Sequence, residues 1–161
     1  MPNITSRIVE ICVFKIVDGD PLYLILKRTQ TDELYPGIWQ IVTGVVEEGE
    51  HTVQAALREL EEETGLHPVK FWRLPFVNSF FEPRRDVVHL CPYFAARVVS
   101  SAEPVLSSEH QRYEWCSLDR AQTLLPWSGQ RNGVRIAHNQ CVQETEESRL
   151  LEIDYQKRKN F

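Results

Sequence analysis

Apolar and β-branched residues crowd into two early runs, 7–17 and 22–28, separated by Asp18-Gly19-Asp20-Pro21. Two such runs around a turn-forming cluster predict a β-hairpin. Polar residues 29–37 then close on Pro36-Gly37, a loop signal, and Trp39 to Thr43 reads as a short strand. From 51 to 64 the period changes. Val53, Ala56, Leu57 and Leu60 recur at i, i+3, i+4 and i+7, which predicts a helix with one buried stripe. Thr52 stands where it can cap the start, and Gly65 stands just past the end, where a left-handed residue is favoured. Downstream, Val69 to Val77 reads as a strand and Phe80 to Asp86 as a loop with Pro83, Arg84 and Arg85 at its tip. Val87 to Val99 reads as a long strand, Ser100 to Ser108 as a loop and Gln111 to Cys116 as another strand. Ser117 is placed to cap a helix through Leu125. After the break at Pro126-Trp127-Ser128-Gly129, residues 130–150 read as a final helix with Val134, Ala137, Cys141 and Val142 on one side. Strands around a central helix, with further helix late in the chain, give the α/β class: a mixed sheet between helical layers.

The central helix carries the chemistry. Residues Gly44 to Leu66 read GVVEEGEHTVQAALRELEEETGL. A helix turns about 100° per residue, so with Glu59 at zero, Glu63 lies about 40° to one side and Glu62 about 60° to the other. Glu61, at about 200°, faces away as a solvent residue. Three carboxylates within one narrow arc, bordering the buried stripe, suit a hard divalent cation, and such a cation handles phosphate. Glu59 and Glu63 repel as an i, i+4 like-charge pair, a penalty of about 0.2–0.5 kcal/mol that a cation removes. Gly44 and Gly49 bracket a loop in which backbone turns tightly or approaches something closely.

This segment resembles the signature box of the Nudix hydrolases at every specified position: Gly44, Glu50, Arg58, Glu59, Leu60, Glu62, Glu63, Gly65 and Leu66. The resemblance implies an α/β/α sandwich with a mixed β-sheet. It implies hydrolysis of a nucleoside diphosphate linked to another group, with Mg²⁺ or Mn²⁺ held by Glu59, Glu62 and Glu63. It also implies that Glu50 and Arg58 form a supporting ion pair and that the Gly44 carbonyl joins the metal shell. The stretch WQIVTGVVEEGE from Trp39 is similar to members that release pyrophosphate from nucleoside triphosphates, dihydroneopterin triphosphate pyrophosphatases among them. Leu124-Leu125-Pro126-Trp127 is compatible with that group. Competing members cleave ADP-ribose, nucleotide sugars or dinucleoside polyphosphates, and a nucleotide-sensing module on the same fold is the non-enzymatic alternative.

A further acid is expected as metal ligand or base. Glu109, six residues before Trp115, stands where some family members are similar in carrying a metal-binding glutamate, with Glu114 as runner-up. Which of Glu62, Glu63 and Glu109 serves as general base is a matter of geometry. Lys27 and Arg28 at the end of the second strand, and Arg84 and Arg85 in the later loop, are candidate phosphate contacts. Phe81, with Phe80 and Tyr93, is a candidate stacking partner for a base. Trp39 and Trp115 read as core or pocket wall, and His110 and His138 receive no role.

Composition adds limits. A chain of 161 residues with net charge −5 reads as one domain, 1–161, with no electrostatic case for binding duplex DNA. Lys157-Arg158-Lys159 reads as a solvated tail. The four cysteines, Cys12, Cys91, Cys116 and Cys141, show no CxxC spacing, and most of them read as small buried apolar residues in a reducing compartment. Ile8 to Val17 carries Glu10 and Lys15, so it is a strand rather than a membrane span. A cytoplasmic protein with a small-molecule nucleotide substrate is expected, and its edge strands are compatible with a homodimer.

Overall fold

A computed structural model describes residues 1–156; the Lys157-Arg158-Lys159 run lies outside the described residues. The strands are β1 (Asn3–Thr5), β2 (Ile8–Val17), β3 (Asp20–Arg28), β4 (Trp39–Gln40), β5 (Val42–Val45), β6 (Lys70–Glu82), β7 (Val87–Arg97) and β8 (His110–Cys116). All join one mixed sheet: β7 runs parallel to β1 and to β2, and every other pairing is antiparallel. The helices are α1 (Thr52–Thr64), α2 (Leu118–Leu124), α3 (Ser128–Ala137), which runs on through a wider π turn at His138–Val142, and α4 (Glu146–Leu151).

Strand alternation divides the core into two. Val9, Ile11 and Val13 of β2, with Leu24 and Leu26 of β3, pack under Ala56 and Leu60 of α1. Cys12 and Phe14, with Tyr23 and Ile25, pack on the other face beneath Ala121, Leu125, Val134, Ala137 and Cys141. The α/β/α sandwich follows directly, because each sheet face is apolar and each is covered by a helical layer. All four cysteines are free and buried. Across the second layer, the buried Glu10 accepts hydrogen bonds from Asn78 Nδ2 at 2.9 Å and Gln130 Nε2 at 3.2 Å, tying β2 to β6 and α3. Among the described residues, no helix is long and apolar enough to cross a membrane.

Five local expectations are corrected. The first hairpin turns on Asp18 and Gly19 alone, both at positive φ (51° and 90°), so β3 begins at Asp20. The strand expected from Trp39 to Thr43 breaks at Ile41, where β4 leaves β3 and β5 takes up pairing with β2. The loop expected from Phe80 is strand as far as Glu82, because Phe80, Phe81 and Glu82 pair with His89, Val88 and Val87. The long final helix is broken: Glu144 takes a positive φ of 46°, and the Thr145 hydroxyl caps α4 by accepting from Ser148 N–H at 3.1 Å. The cap of α1 is His51 rather than the expected Thr52, and the His51 N–H donates to Gln54 Oε1 at 3.4 Å. At its end Gly65 adopts φ 66° and donates to the Glu61 carbonyl at 2.7 Å.

Candidate active site

The phase of α1 is the expected one. Glu63 is buried at 4% exposure, Glu59 is half-buried, Glu62 is exposed beside it, and Glu61 points into solvent toward His67. Strand β5 lies against this face. A Cβ on Gly44 would come within 2.0 Å of Glu59 Cγ, so glycine is what lets the acid lie across the strand. Glu59 accepts from Val45 N–H at 3.1 Å, and Glu63 accepts from the Thr43 amide.

Arg58 organises the exposed half. Its Nε and one terminal nitrogen donate to the two oxygens of Glu50 at 2.9 and 3.0 Å. That same terminal nitrogen reaches the Val45 carbonyl at 2.9 Å. The other donates to Glu59 and Glu62, both at 3.0 Å. The pairing expected with Glu50 is present, and the guanidinium additionally bridges two of the three candidate metal ligands. Its charge is held more firmly by these partners, while burial raises the Glu59 carboxyl above its ordinary range.

Glu63 has the opposite problem. Its Oε2 is buried without a hydrogen-bond partner. Burial, then the charges of Glu109 and Glu59, push its carboxyl up to about 9, against a smaller lowering by Arg28. Glu109 is brought here by a segment zipped onto the end of α1: Val105 N–H donates to the Thr64 carbonyl at 2.8 Å and Ser107 N–H to the Glu63 carbonyl at 3.2 Å. The Glu109 carbonyl in turn accepts from Thr29 N–H at 3.1 Å. Glu114, the runner-up, is bound to Arg120 at 2.9 Å and turns toward α2 instead.

Arg28 faces this acid centre and is fixed there. It pairs with Asp32 through Nε at 2.8 Å and through a terminal nitrogen, and its other terminal nitrogen donates to Gln40 Oε1 at 3.3 Å. The Gln40 amide nitrogen meets His110 Nε2 at 3.0 Å. Arginine only donates, so Gln40 must present oxygen to Arg28 and nitrogen to His110. His110 Nε2 must then accept, which places its single proton on the buried, unpartnered Nδ1. Burial and Arg28 push the imidazole down to about 4, consistent with a neutral ring. Sequence reasoning left His110 without a role. The signal that reveals it is register: Arg28 lies opposite His110 at a bulge between β3 and β8.

Other candidates fall elsewhere. Lys27 is on the opposite sheet face from Arg28, its Nζ 5.7 Å from the Trp39 ring centroid. Arg84 and Arg85 sit in the β6–β7 turn, where Arg85 pairs with Glu82. The row Tyr93–Glu10–Thr43 crosses the sheet at the Glu63 anchor. Val87 is six residues up β7 from that row, about 20 Å at the strand rise. Arg84, Arg85 and Phe81 are therefore not brought to the carboxylates. Tyr93 is unavailable for stacking: it is 1% exposed and its hydroxyl donates to the Gln130 carbonyl at 3.1 Å.

The donor set fits a hard divalent cation. An orphaned buried carboxylate oxygen, two further acids near it and a strand stripped of its Cβ at Gly44 supply oxygen ligands, excess negative charge and close backbone approach. Among the described residues, no three acid, His or Cys side chains already form a ligand cage, since Arg58 holds Glu59 and Glu62.

A mixed sheet between helices, with an acidic helix face laid on a glycine-bearing strand, is the arrangement of a Nudix domain. The NUDIX domain model matches residues 6–136, and the chain belongs to that family. It is 37% identical over 108 residues to an octanoyltransferase of Myxococcus xanthus, which covers 63% of this chain and 29% of that protein. It is 31% identical over 122 residues to Nudix hydrolase 6 of Arabidopsis thaliana, covering 74% of this chain and 40% of that one. The chain thus spans less than half the length of either relative. The structure of the E. coli dihydroneopterin triphosphate pyrophosphohydrolase is similar in fold, with a TM-score of 0.65 at 22% identity, over 81% of this chain and 95% of that one.

Proposed function

We propose that this domain hydrolyses a phosphoanhydride bond in a nucleoside diphosphate joined to another group, using Mg²⁺ or Mn²⁺. The observation that carries the reading is Glu63: a carboxylate inserted into the core, one oxygen unsatisfied, with two more acids beside it. A folded protein keeps such a group where a ligand compensates it. Glu59, Glu62, Glu63 and Glu109 would hold the cation, with the Gly44 carbonyl at the same strand. A divalent ion there supplies charge neutralisation for the phosphates and lowers the pKa of bound water. Arg58 holds Glu50, Glu59 and Glu62 in place, and Arg28, whose charge acts on Glu63, offers its guanidinium to phosphate oxygens. Water adds to phosphorus, the bridging oxygen departs with the leaving phosphate, and a carboxylate of this cluster takes the proton.

The substrate reading is a nucleoside or pterin triphosphate giving the monophosphate and pyrophosphate. It is supported by the likeness of the stretch from Trp39 to Glu50 to members that release pyrophosphate from nucleoside triphosphates. A panel of dNTPs, dihydroneopterin triphosphate, ADP-ribose and diadenosine tetraphosphate with Mg²⁺ tests both levels. Pyrophosphate release from a triphosphate is expected. Turnover of ADP-ribose or the dinucleotide instead would overturn the substrate class. Tight nucleotide binding with no turnover of any member would make the domain a sensor.

A further inference from the structure

On the sheet face opposite the carboxylates, three side chains stand in one row across β4, β3 and β8. Trp39 pairs with Lys27, and Lys27 pairs with Arg112. Alternation puts Lys27 on the same face as Tyr23 and Ile25, and Trp39 packs against that same core layer. The Lys27 ammonium lies 5.7 Å and the Arg112 guanidinium 5.9 Å from the Trp39 ring centroid. Both values are at the outer limit of a cation–π contact. Among the described residues, neither cation has a carboxylate within ion-pair distance. Like charges directly opposite across strands repel, and an indole at this range offsets little of it. The neighbouring carboxylate on the same face of β8, Glu114, is committed to Arg120 at 2.9 Å.

We propose that Lys27 and Arg112 form an oxyanion site floored by Trp39, which takes a phosphate group. The guanidinium presents paired donors and the ammonium a point charge, the complement of a tetrahedral anion. The site is distinct from the position of Arg28, because Arg28 and Gln40 turn to the other face from their chain neighbours Lys27 and Trp39. The phosphate therefore belongs either to a part of the substrate remote from the cleaved bond or to a separate phosphorylated molecule. Only the first source rests on the hydrolase reading.

The test uses the full chain, metal-free, and follows the Trp39 indole N–H by NMR, with the signal assigned from Trp39→Phe. Inorganic pyrophosphate should shift that signal saturably, and added salt should weaken the effect. Lys27→Ala and Arg112→Ala should each weaken binding about tenfold, and Arg28→Ala should leave the shift in place. No shift at millimolar pyrophosphate, or an undiminished shift in both alanine variants, overturns the site. Kinetics then separates the sources. A raised KM with kcat unchanged in Lys27→Ala and Arg112→Ala assigns the phosphate to the substrate, and an unchanged KM assigns it to a separate molecule. Because the NMR readout needs no turnover, loss of the hydrolase reading would leave this result standing.

Discussion

Arg58 grips both oxygens of Glu50, at 2.9 and 3.0 Å, and with its remaining terminal nitrogen bridges Glu59 to Glu62. One planar cation thus spaces three acids, and an ammonium cannot reproduce that fork. Arg58→Lys should lower kcat/KM about tenfold or more and raise the Mg²⁺ concentration needed for half-maximal rate. Steady-state kinetics over a metal titration checks this. A variant with wild-type rate and metal dependence would remove Arg58 from the site.

Glu61 and Glu62 are neighbours with opposite duties. Glu62→Gln keeps shape and removes a charge from the acid face, so kcat should fall by about 10²–10³ with little change in Tm. Glu61→Gln alters a side chain turned to solvent and should keep kcat within about twofold. Reversal of the two outcomes would show the wrong helical phase.

The order Arg28–Gln40–His110 is a chain in which each bond fixes the next. His110→Phe frees the Gln40 amide to turn, and Gln40→Met removes it, so either change should raise the substrate KM by about tenfold through Arg28. Because both act through one path, the double variant should be no worse than the worse single. Additive losses would mean that the two residues serve only packing. The buried ring also has an acid signature. Its folded pKa, about 4, is below the ordinary 6.5, so an unfolded chain binds the proton first. The stability it contributes is complete above about pH 6.5 and is lost as pH falls toward 4. His110→Phe should flatten that limb in thermal melts across pH 4–7.

Much of this was legible beforehand because it follows a period. The spacing of Val53, Ala56, Leu57 and Leu60 settles which way Glu59, Glu61, Glu62 and Glu63 face, and the alternation in β2 settles the two core layers. Features with no period were missed. Residues 134–150 contain neither glycine nor proline, so nothing marks the break that Glu144 makes by adopting a positive φ. As a loop, the stretch before Arg84 and Arg85 leaves them free to reach phosphate. Pairing of Phe80 and Phe81 with His89 and Val88 carries those arginines away instead. The Gln40–His110 contact joins residues 70 apart in the chain, and it exists only because a bulge sets the register of β8.

Gly44 supports Glu59 by absence of bulk. Gly44→Ala puts a methyl 2.0 Å from Glu59 Cγ, which a flexible side chain relieves by swinging out. Metal affinity should drop about tenfold while Tm changes by only a few degrees, since the obstruction moves an acid rather than the backbone. Isothermal titration with Mn²⁺ and a thermal melt check the pair. Unchanged affinity would take Glu59 out of the metal shell.

The most direct test compares thermal melts of wild type and Glu63→Gln, with and without Mn²⁺, from pH 5 to 9. The folded pKa of Glu63, about 9, lies above its ordinary 4.5, so without metal its contribution is greatest below about pH 4.5 and is lost as pH climbs toward 9. Metal-free Glu63→Gln should therefore melt higher than wild type at pH 8, by about 2–6 °C. Mn²⁺ should reverse the order, raising wild type and leaving the variant unmoved. A wild type that Mn²⁺ fails to stabilise, or a variant stabilised just as much, would contradict a cation held at Glu63.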